Sequence, residues 1–315
     1  GTKGEVSNLF ETLLGVLQGC VLSPLLFNVM LEVIMALAQE EESGILVSGC
    51  RINNLRFADD IAFLANEQQE LQQQISQLHS TSTSFGLRIS TSKTEVQCIS
   101  RHPHALKISV GGVELNHVEN FTYLGGVISQ DARCEQDIRR RINLATGIAS
   151  SLQTVWKERD ISLRTKVRVY ETMVLSVLLY NAETWTMKAA DESKIRAFEM
   201  SVLRRICGVS LRDKWRNDDI KALLGIEIDV VERIQRRRLS YFGHVSRMKP
   251  DRVPLRMLNG RIHGNRPRGR PRRNWLDAVE EDCQERHITL LQACRLTEDR
   301  GQWQKMVFGP PRRST

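Results

Sequence analysis

The chain is poor in the features that mark secreted, membrane or disulfide-stapled proteins. Its cysteines stand at 20, 50, 98, 134, 207, 283 and 294, seven in all, and none forms a Cys-x-x-Cys pair. An odd, dispersed set argues against a disulfide framework and for a reduced intracellular protein. No secretory signal opens the chain. The longest apolar run, 25–38, is interrupted by Asn28 and Glu32, so it is too short and too polar to span a bilayer. No internal repeat is visible. The expectation is a protein of the nucleus, the cytoplasm or both, without a membrane partner.

What is present is a basic chain of 315 residues, long enough for two or three domains, with 41% hydrophobic residues and therefore a core. The formal charge is +8, and it is unevenly placed. Between Arg233 and Arg273 there are 14 Lys or Arg against one acid, Asp251, so this stretch carries +13 and the remainder is net acidic. A polyanionic partner is the natural complement of such a segment.

Phe57-Ala58-Asp59-Asp60 is the most informative stretch. Adjacent acids inside an apolar run are costly to bury unless a cation neutralises them. The flanking Leu55 and Phe57, and Ile61 to Leu64, read as strand, tight turn and strand with the carboxylates at the tip. A hairpin of this kind would hold them rigidly, as at a cleft floor, where hard oxygen ligands suit magnesium. An ordinary turn with solvated acids is the alternative.

Around it the pattern is mixed. Ser23 and Pro24 start a helix through Ala38 that is apolar almost all round and expected to be buried. A second helix is expected over 67–85, a strand over 94–100, a hairpin around Gly111-Gly112, and a strand with a glycine break over 121–128. From Asp131 the period becomes helical, with Ile138, Ile142, Ala145, Ala149, Leu152 and Trp156 on one stripe. Helices are expected over 162–180, 191–207, 218–224, 229–248, 275–285 and 298–307, and a Gly/Pro/Arg-rich linker over 259–273. The fold class is therefore α+β: an antiparallel sheet with packed helices (1–130), an all-helical region (131–215) and a basic helical tail (216–315).

Four blocks occur in fixed order: G-V-L-Q-G-C-V-L-S-P-L-L-F-N from Gly15, F-A-D-D from Phe57, G-L-R-I-S-T-S-K-T from Gly86 and F-T-Y-L-G-G from Phe121. Together they resemble the C-terminal portion of a reverse transcriptase of the non-LTR (LINE-like) retrotransposon class: partial palm, thumb and basic C-terminal region. The words R-R-L through G-H-V-S-R-M (237–248) and G-R-P-R-R-N-W (269–275) resemble the tails of such elements.

The resemblance implies an RNA-directed DNA polymerase that uses an RNA template, a DNA primer or target DNA, and dNTPs. It implies that Asp59 ligates magnesium, that Asp60 supports it, and that Lys93 protonates the departing pyrophosphate. Gln18, Gly19 and Phe57 would meet template and nucleotide, and Tyr123, Leu124 and Gly125 would form the primer grip. Arg236, Arg237, Arg238, Arg268, Arg270, Arg272 and Arg273 are the candidates for phosphate contact, with Tyr241 and Phe242 interleaved. The stretch 266–273 alternatively reads as a nuclear localisation patch. Trp185, in Y-N-A-E-T-W, resembles a thumb signature, although core packing suffices to explain it.

Leu17 and Ser90 depart from the residues usual in their blocks. Cys283, His287 and Cys294 fit no short zinc spacing, so no zinc is expected. No acid-bearing strand is recognisable in 1–14, and neither fingers nor an endonuclease region is recognisable. The chain is therefore expected to begin inside a larger protein and not to polymerise alone, the two-metal site being complete only in the whole protein. A second reading is a non-catalytic, domesticated nucleic-acid-binding protein, in which 218–248 forms a helix-turn-helix-like pair with a basic second helix. An unstable fragment is the third. Oligomeric state is not legible.

Overall fold

The computed structural model describes residues 19–38, 43–100, 102–260 and 273–309. They form two compact units. The first comprises the described residues up to Val96 together with Leu106–His117; the second comprises Gln97–Ala105 and everything from Val118 onward. Residues 118–130, grouped with the palm on sequence, belong to the helical unit, and the expected thumb and tail share one body.

The first unit contains α1 (Ser23–Ala38), α2 (Gln68–Ser84) and short ladders: β1 (Ile45–Val47) with β2 (Cys50–Ile52), β3 (Asn54–Phe57) with β4 (Asp60–Phe63), β5 (Glu95–Val96), β6 (Ser109–Val110) with β7 (Val113–Glu114), and β8 (Asn116–His117). β5 pairs with β8 in parallel and the other ladders are antiparallel, so the sheet is a set of two-stranded pieces. Ile34, Met35, Ile75, Leu78, Ile108 and Val110 fill its core. α1 departs from expectation. It buries Leu31, Ile34, Met35 and Ala38, while Leu25, Leu26, Val29, Val33 and Leu37 remain exposed. Apolar composition gives a helix several faces that could be buried, and only neighbours decide how many are.

The glutamine-rich α2 is tied in by its polar groups. The Gln72 amide donates to the Ser109 carbonyl and accepts from the Ser109 N–H, both at 2.8 Å, and so substitutes for a strand neighbour of β6. The buried Gln74 amide donates to the Leu64 carbonyl at 3.3 Å, just beyond β4.

In the second unit, residues 120–129 form a hairpin, β9 (Asn120–Tyr123) and β10 (Gly126–Ser129), rather than one broken strand. The turn Leu124-Gly125 has φ of +47° and +78°, a conformation glycine adopts freely and leucine rarely. α3 (Glu135–Ser151) and α4 (Gln153–Lys157) bury Ile138, Ala145, Ala149 and Trp156 as the stripe requires. α5 (Leu163–Val169) runs through a π-helical segment, Tyr170–Leu175, into α6 (Ser176–Leu178). α7 (Ala189–Cys207) and α8 (Asn217–Leu224) complete the main core.

α9 (Val230–Ser246) is the spine of this unit. Val230, Val231 and Ile234 enter the main core, whereas Leu239 and Phe242 enter a second core with Val279, Cys283, Ala293, Trp303 and Val307. That second core is built from α11 (Trp275–Gln284), α12 (Leu290–Thr297) and α13 (Arg300–Phe308). α12 and α10 (Val253–Asn259) were not anticipated. The bulk of the expected linker lies outside the described residues. No helix among the described residues is long and apolar enough to cross a membrane.

Candidate functional site

The acidic motif folds into the tight hairpin that its pattern predicts. β3 and β4 pair so that Phe57 faces Asp60, leaving Ala58-Asp59 as the two turn residues. Ala58 has a φ of +53°, a conformation an L-residue adopts at a cost. The hairpin is anchored at both ends. Arg56 bridges to Glu32 of α1 at 3.0 Å, and the Leu64 N–H donates to the Asn53 carbonyl at 2.7 Å.

Among the described residues nothing covers the tip. Phe57, Ala58, Asp59 and Asp60 are all exposed, Phe57 at 63%. Two neighbouring carboxylates suit a hard cation chemically, but among the described residues no three His, Cys, Asp or Glu side chains converge to hold an ion. The hairpin therefore supplies ligand-type oxygens and not a coordination shell.

Lys93 is exposed in a turn closed by the Lys93 and Thr94 N–H groups on the Ser90 carbonyl, at 3.1 and 3.0 Å. Serine in place of asparagine at 90 still supports this turn, and the Ser90 hydroxyl lies 3.3 Å from that of Ser92. Gly19 is exposed with a φ of +90°, and among the described residues nothing lies within 4 Å of where a Cβ would stand. Gln18 lies outside the described residues.

The turn of Tyr123, Leu124 and Gly125 is gripped by the helices behind it. The Tyr180 hydroxyl donates to the Leu124 carbonyl at 2.9 Å. Arg140 donates to the Gly125 carbonyl at 2.9 Å, and Arg141 donates to the same oxygen. The Arg141 guanidinium also stacks 4.3 Å from the centre of the Tyr180 ring. A Cβ on Gly126 would stand 2.6 Å from the Asn181 amide nitrogen and would push that amide aside. The Leu124 strain is thus held by Tyr180, fifty-six residues along the chain. Sequence reading singled out Tyr123, Leu124 and Gly125 but not their clamp. The only signal available was that Y-N-A-E-T-W is rich in groups that can hydrogen-bond at their tips.

The basic residues divide by role. Arg238, expected to face phosphates, is 2% exposed, and this is a correction. Its guanidinium donates to Asp282 at 2.6 and 3.0 Å and to the Trp185 carbonyl at 2.6 Å, so its charge is already neutralised. Burial pushes the Asp282 carboxyl above its ordinary range, against the pull of Arg238. Arg236 is bound twice by Glu232, and Arg237, which is exposed, donates to the Leu179 carbonyl at 2.8 Å. Arg273 donates to the Met187 carbonyl at 2.6 Å and also bridges Glu281. Arg268, Arg270 and Arg272 lie outside the described residues. α9 of the expected helix-turn-helix-like pair packs along one face into two cores.

The tail and thumb words meet. Trp275 donates to the Glu183 carbonyl at 2.8 Å, while Arg238 and Arg273 bind the carbonyls of Trp185 and Met187. One short loop therefore receives three donors from the basic tail.

Residues 2–128 match the reverse transcriptase (RNA-dependent DNA polymerase) family. Over 274 residues, 83% of this chain, it is 28% identical to a transposon-derived protein of Caenorhabditis elegans, and the alignment covers 97% of that protein. It is also 30% identical over 142 residues to the retrovirus-related Pol polyprotein from the type-1 retrotransposable element R2 of Nasonia vitripennis, spanning 42% of this chain and 13% of that polyprotein. The acidic hairpin lies inside the matched segment, and the likeness to the Caenorhabditis elegans protein extends well beyond it, so the chain carries a reverse-transcriptase segment of the non-LTR retrotransposon kind followed by a helical body.

Proposed function

We propose that this chain contributes the carboxylate hairpin, the primer-facing turn and the helical body of a non-LTR RNA-directed DNA polymerase. The observation that carries the reading is the placement of Asp59 in a two-residue turn with Asp60 opposite Phe57, inside a segment that matches the reverse transcriptase family. On this reading Asp59 provides one magnesium-ligating carboxylate and Asp60 assists it. Lys93 is the proton donor for pyrophosphate, Gln18, Gly19 and Phe57 face template and nucleotide, and Tyr123, Leu124 and Gly125 steady the primer end. The macromolecular partners are an RNA template and a DNA primer.

A two-metal clamp needs more carboxylates than this hairpin holds. The chain by itself therefore does not extend a primer. Extension of oligo(dT) on poly(rA) tests this directly, and robust incorporation by the isolated chain would refute it. In a longer protein that carries a further acid-bearing strand, Asp59→Ala should abolish extension and leave template binding within two-fold. Extension that survives Asp59→Ala would remove Asp59 from the chemistry.

A further inference from the structure

An open cleft of about 610 Å³ lies in the helical unit between α9 and the π-helical turn that precedes α6. From α9 come Arg233, Arg236, Arg237, Ser240 and Tyr241. Their spacing of i, i+3, i+4, i+7 and i+8 places them on one face of the helix. The opposite face, with Ile234, Arg238, Leu239, Phe242 and Val245, is buried. The rest of the lining is mixed: Leu175, Leu179, Ile228 and Phe308 with Glu171, Ser176 and Glu183.

Charge in the cleft is biased but not uniform. Three arginines stand against Glu171 and Glu183, a net formal charge of +1. Glu171 is already taken by Arg233 at 2.7 Å, and Arg236 is held by Glu232, whereas the exposed Arg237 makes its bond to a neutral carbonyl. Among the described residues Arg237 makes no ion pair. Tyr241 is half-buried and braced edge-on by Trp275, with ring centres 5.8 Å apart and planes at 78°. A braced aromatic beside arginines and aliphatic side chains is the combination that accepts a flat base with its phosphate attached. Glu171 and Leu175 of the lining come from the π-helical turn, a rare distortion that is frequent at functional sites.

We infer that this cleft binds one unpaired nucleotide of a single-stranded nucleic acid, its base against Tyr241, Leu175 and Leu179 and its phosphate at Arg236 and Arg237. The inference rests on the polymerase reading only for the polynucleotide context. A duplex cannot enter, because its bases are stacked and paired, so the cleft discriminates single strands by a contact that needs an extruded base.

The test uses the full chain, a fluorescein-labelled mixed-sequence 12-nucleotide RNA and the corresponding 12-base-pair duplex, in EDTA and without dNTPs, read by anisotropy. Tyr241→Leu should weaken single-strand binding roughly 5- to 150-fold, leave the duplex within two-fold, and be rescued by Tyr241→Phe. Arg236→Gln with Arg237→Gln should flatten the single-strand salt slope by about 0.7, the share of one phosphate contact. Arg164→Gln, exposed on α5 away from the cleft, should leave the ratio of single-strand to duplex affinity unchanged. A 5-iodouridine in the wild-type complex should cross-link to the peptide that contains Tyr241, which needs no variant to fold. Cross-links confined to other peptides, or a Tyr241→Leu chain that loses both substrates equally or neither, would overturn the proposal. Because metal and dNTPs are absent, Asp59→Ala should bind as wild type, so failure of the polymerase reading and failure of this one separate cleanly.

Discussion

The indole N–H of Trp185 donates to a carboxylate oxygen of Asp137 at 2.7 Å, both side chains being buried. The other oxygen of Asp137 accepts the Val127 N–H at 3.0 Å, on the second strand of the Leu124-Gly125 hairpin. Arg141 lies 4.0 Å away, one turn further along α3. One carboxylate thus joins a tryptophan of the Y-N-A-E-T-W word to the F-T-Y-L-G-G word. The tryptophan is core, as its packing alone would suggest, but it is also the far end of a polar strut.

Removing that strut leaves an indole N–H and an amide without partners and a buried guanidinium without its counter-charge. Asp137→Ala is expected to cost about 2–4 kcal/mol and to lower Tm by about 5–12 °C. Asp137→Asn, which keeps one acceptor, should lose clearly less. Thermal melts followed by circular dichroism at 222 nm decide this; equal melts for wild type and Asp137→Ala would show the strut to be idle.

Gly243 sets two effects of opposite sign against each other. Alanine in the middle of α9 gains roughly 1 kcal/mol of helix propensity. The added Cβ would stand 2.2 Å from the indole nitrogen of the buried Trp303, which donates to the Leu239 carbonyl at 3.0 Å. Overpacking of this kind costs about 1–3 kcal/mol, and a clash that close lies at its upper end. Gly243→Ala should therefore destabilise by about 1–2 kcal/mol. Urea unfolding and the near-ultraviolet signal of the tryptophans should both change, and a more stable variant would show that Trp303 gives way.

Burial pushes the Glu199 carboxyl above its ordinary range, and Lys221, at 3.6 Å, only partly offsets this. A raised folded value means that the native state holds its proton more tightly than the unfolded chain. Glu199 should therefore make stability fall as pH rises from the unfolded value of about 4.3 through the folded one, and flatten above it. The buried Asp282 carboxyl, also raised, acts with the same sign, and Asp229, lowered, with the opposite sign. Glu199→Gln should remove its share of the decline and gain relative stability toward neutral pH. Denaturant titrations of both chains between pH 4.5 and 7.5 test the sign, and parallel profiles would dismiss the group.

Two thiols bracket the reactivity range. Backbone N–H groups of Leu22 and Ser23 lower the exposed Cys20, whereas burial, then Asp282, pushes Cys283 up to about 12. Only thiolate reacts. Iodoacetamide at pH 8 should label Cys20 first and Cys283 last, the latter only on denaturation, as read by peptide mass spectrometry. Early labelling of Cys283 would mean that the second core opens readily.

What could be read from the chain was local. The Asp59-Asp60 hairpin follows from apolar residues on both sides of a short acidic turn, and the Ile138–Trp156 stripe from helical spacing, because neighbours in sequence decide both. The hairpin at 120–129 was blurred because its turn uses Leu124 at positive φ, a conformation no composition rule signals. α12 went unseen because a helix of eight residues carries too few periods to register.

The arginines show the other half. Sequence alone determined that a basic segment exists and that the acids of Phe57–Asp60 sit at a strand-turn-strand tip. Only the tertiary structure decided that Arg238 neutralises Asp282, that Arg273 closes on Met187, and that Arg237 keeps an open face, since the partners lie 44 to 86 residues away. Charge is a property of one residue, but whether that charge is spent internally depends on which distant group the packing of the cores brings within 3 Å of it.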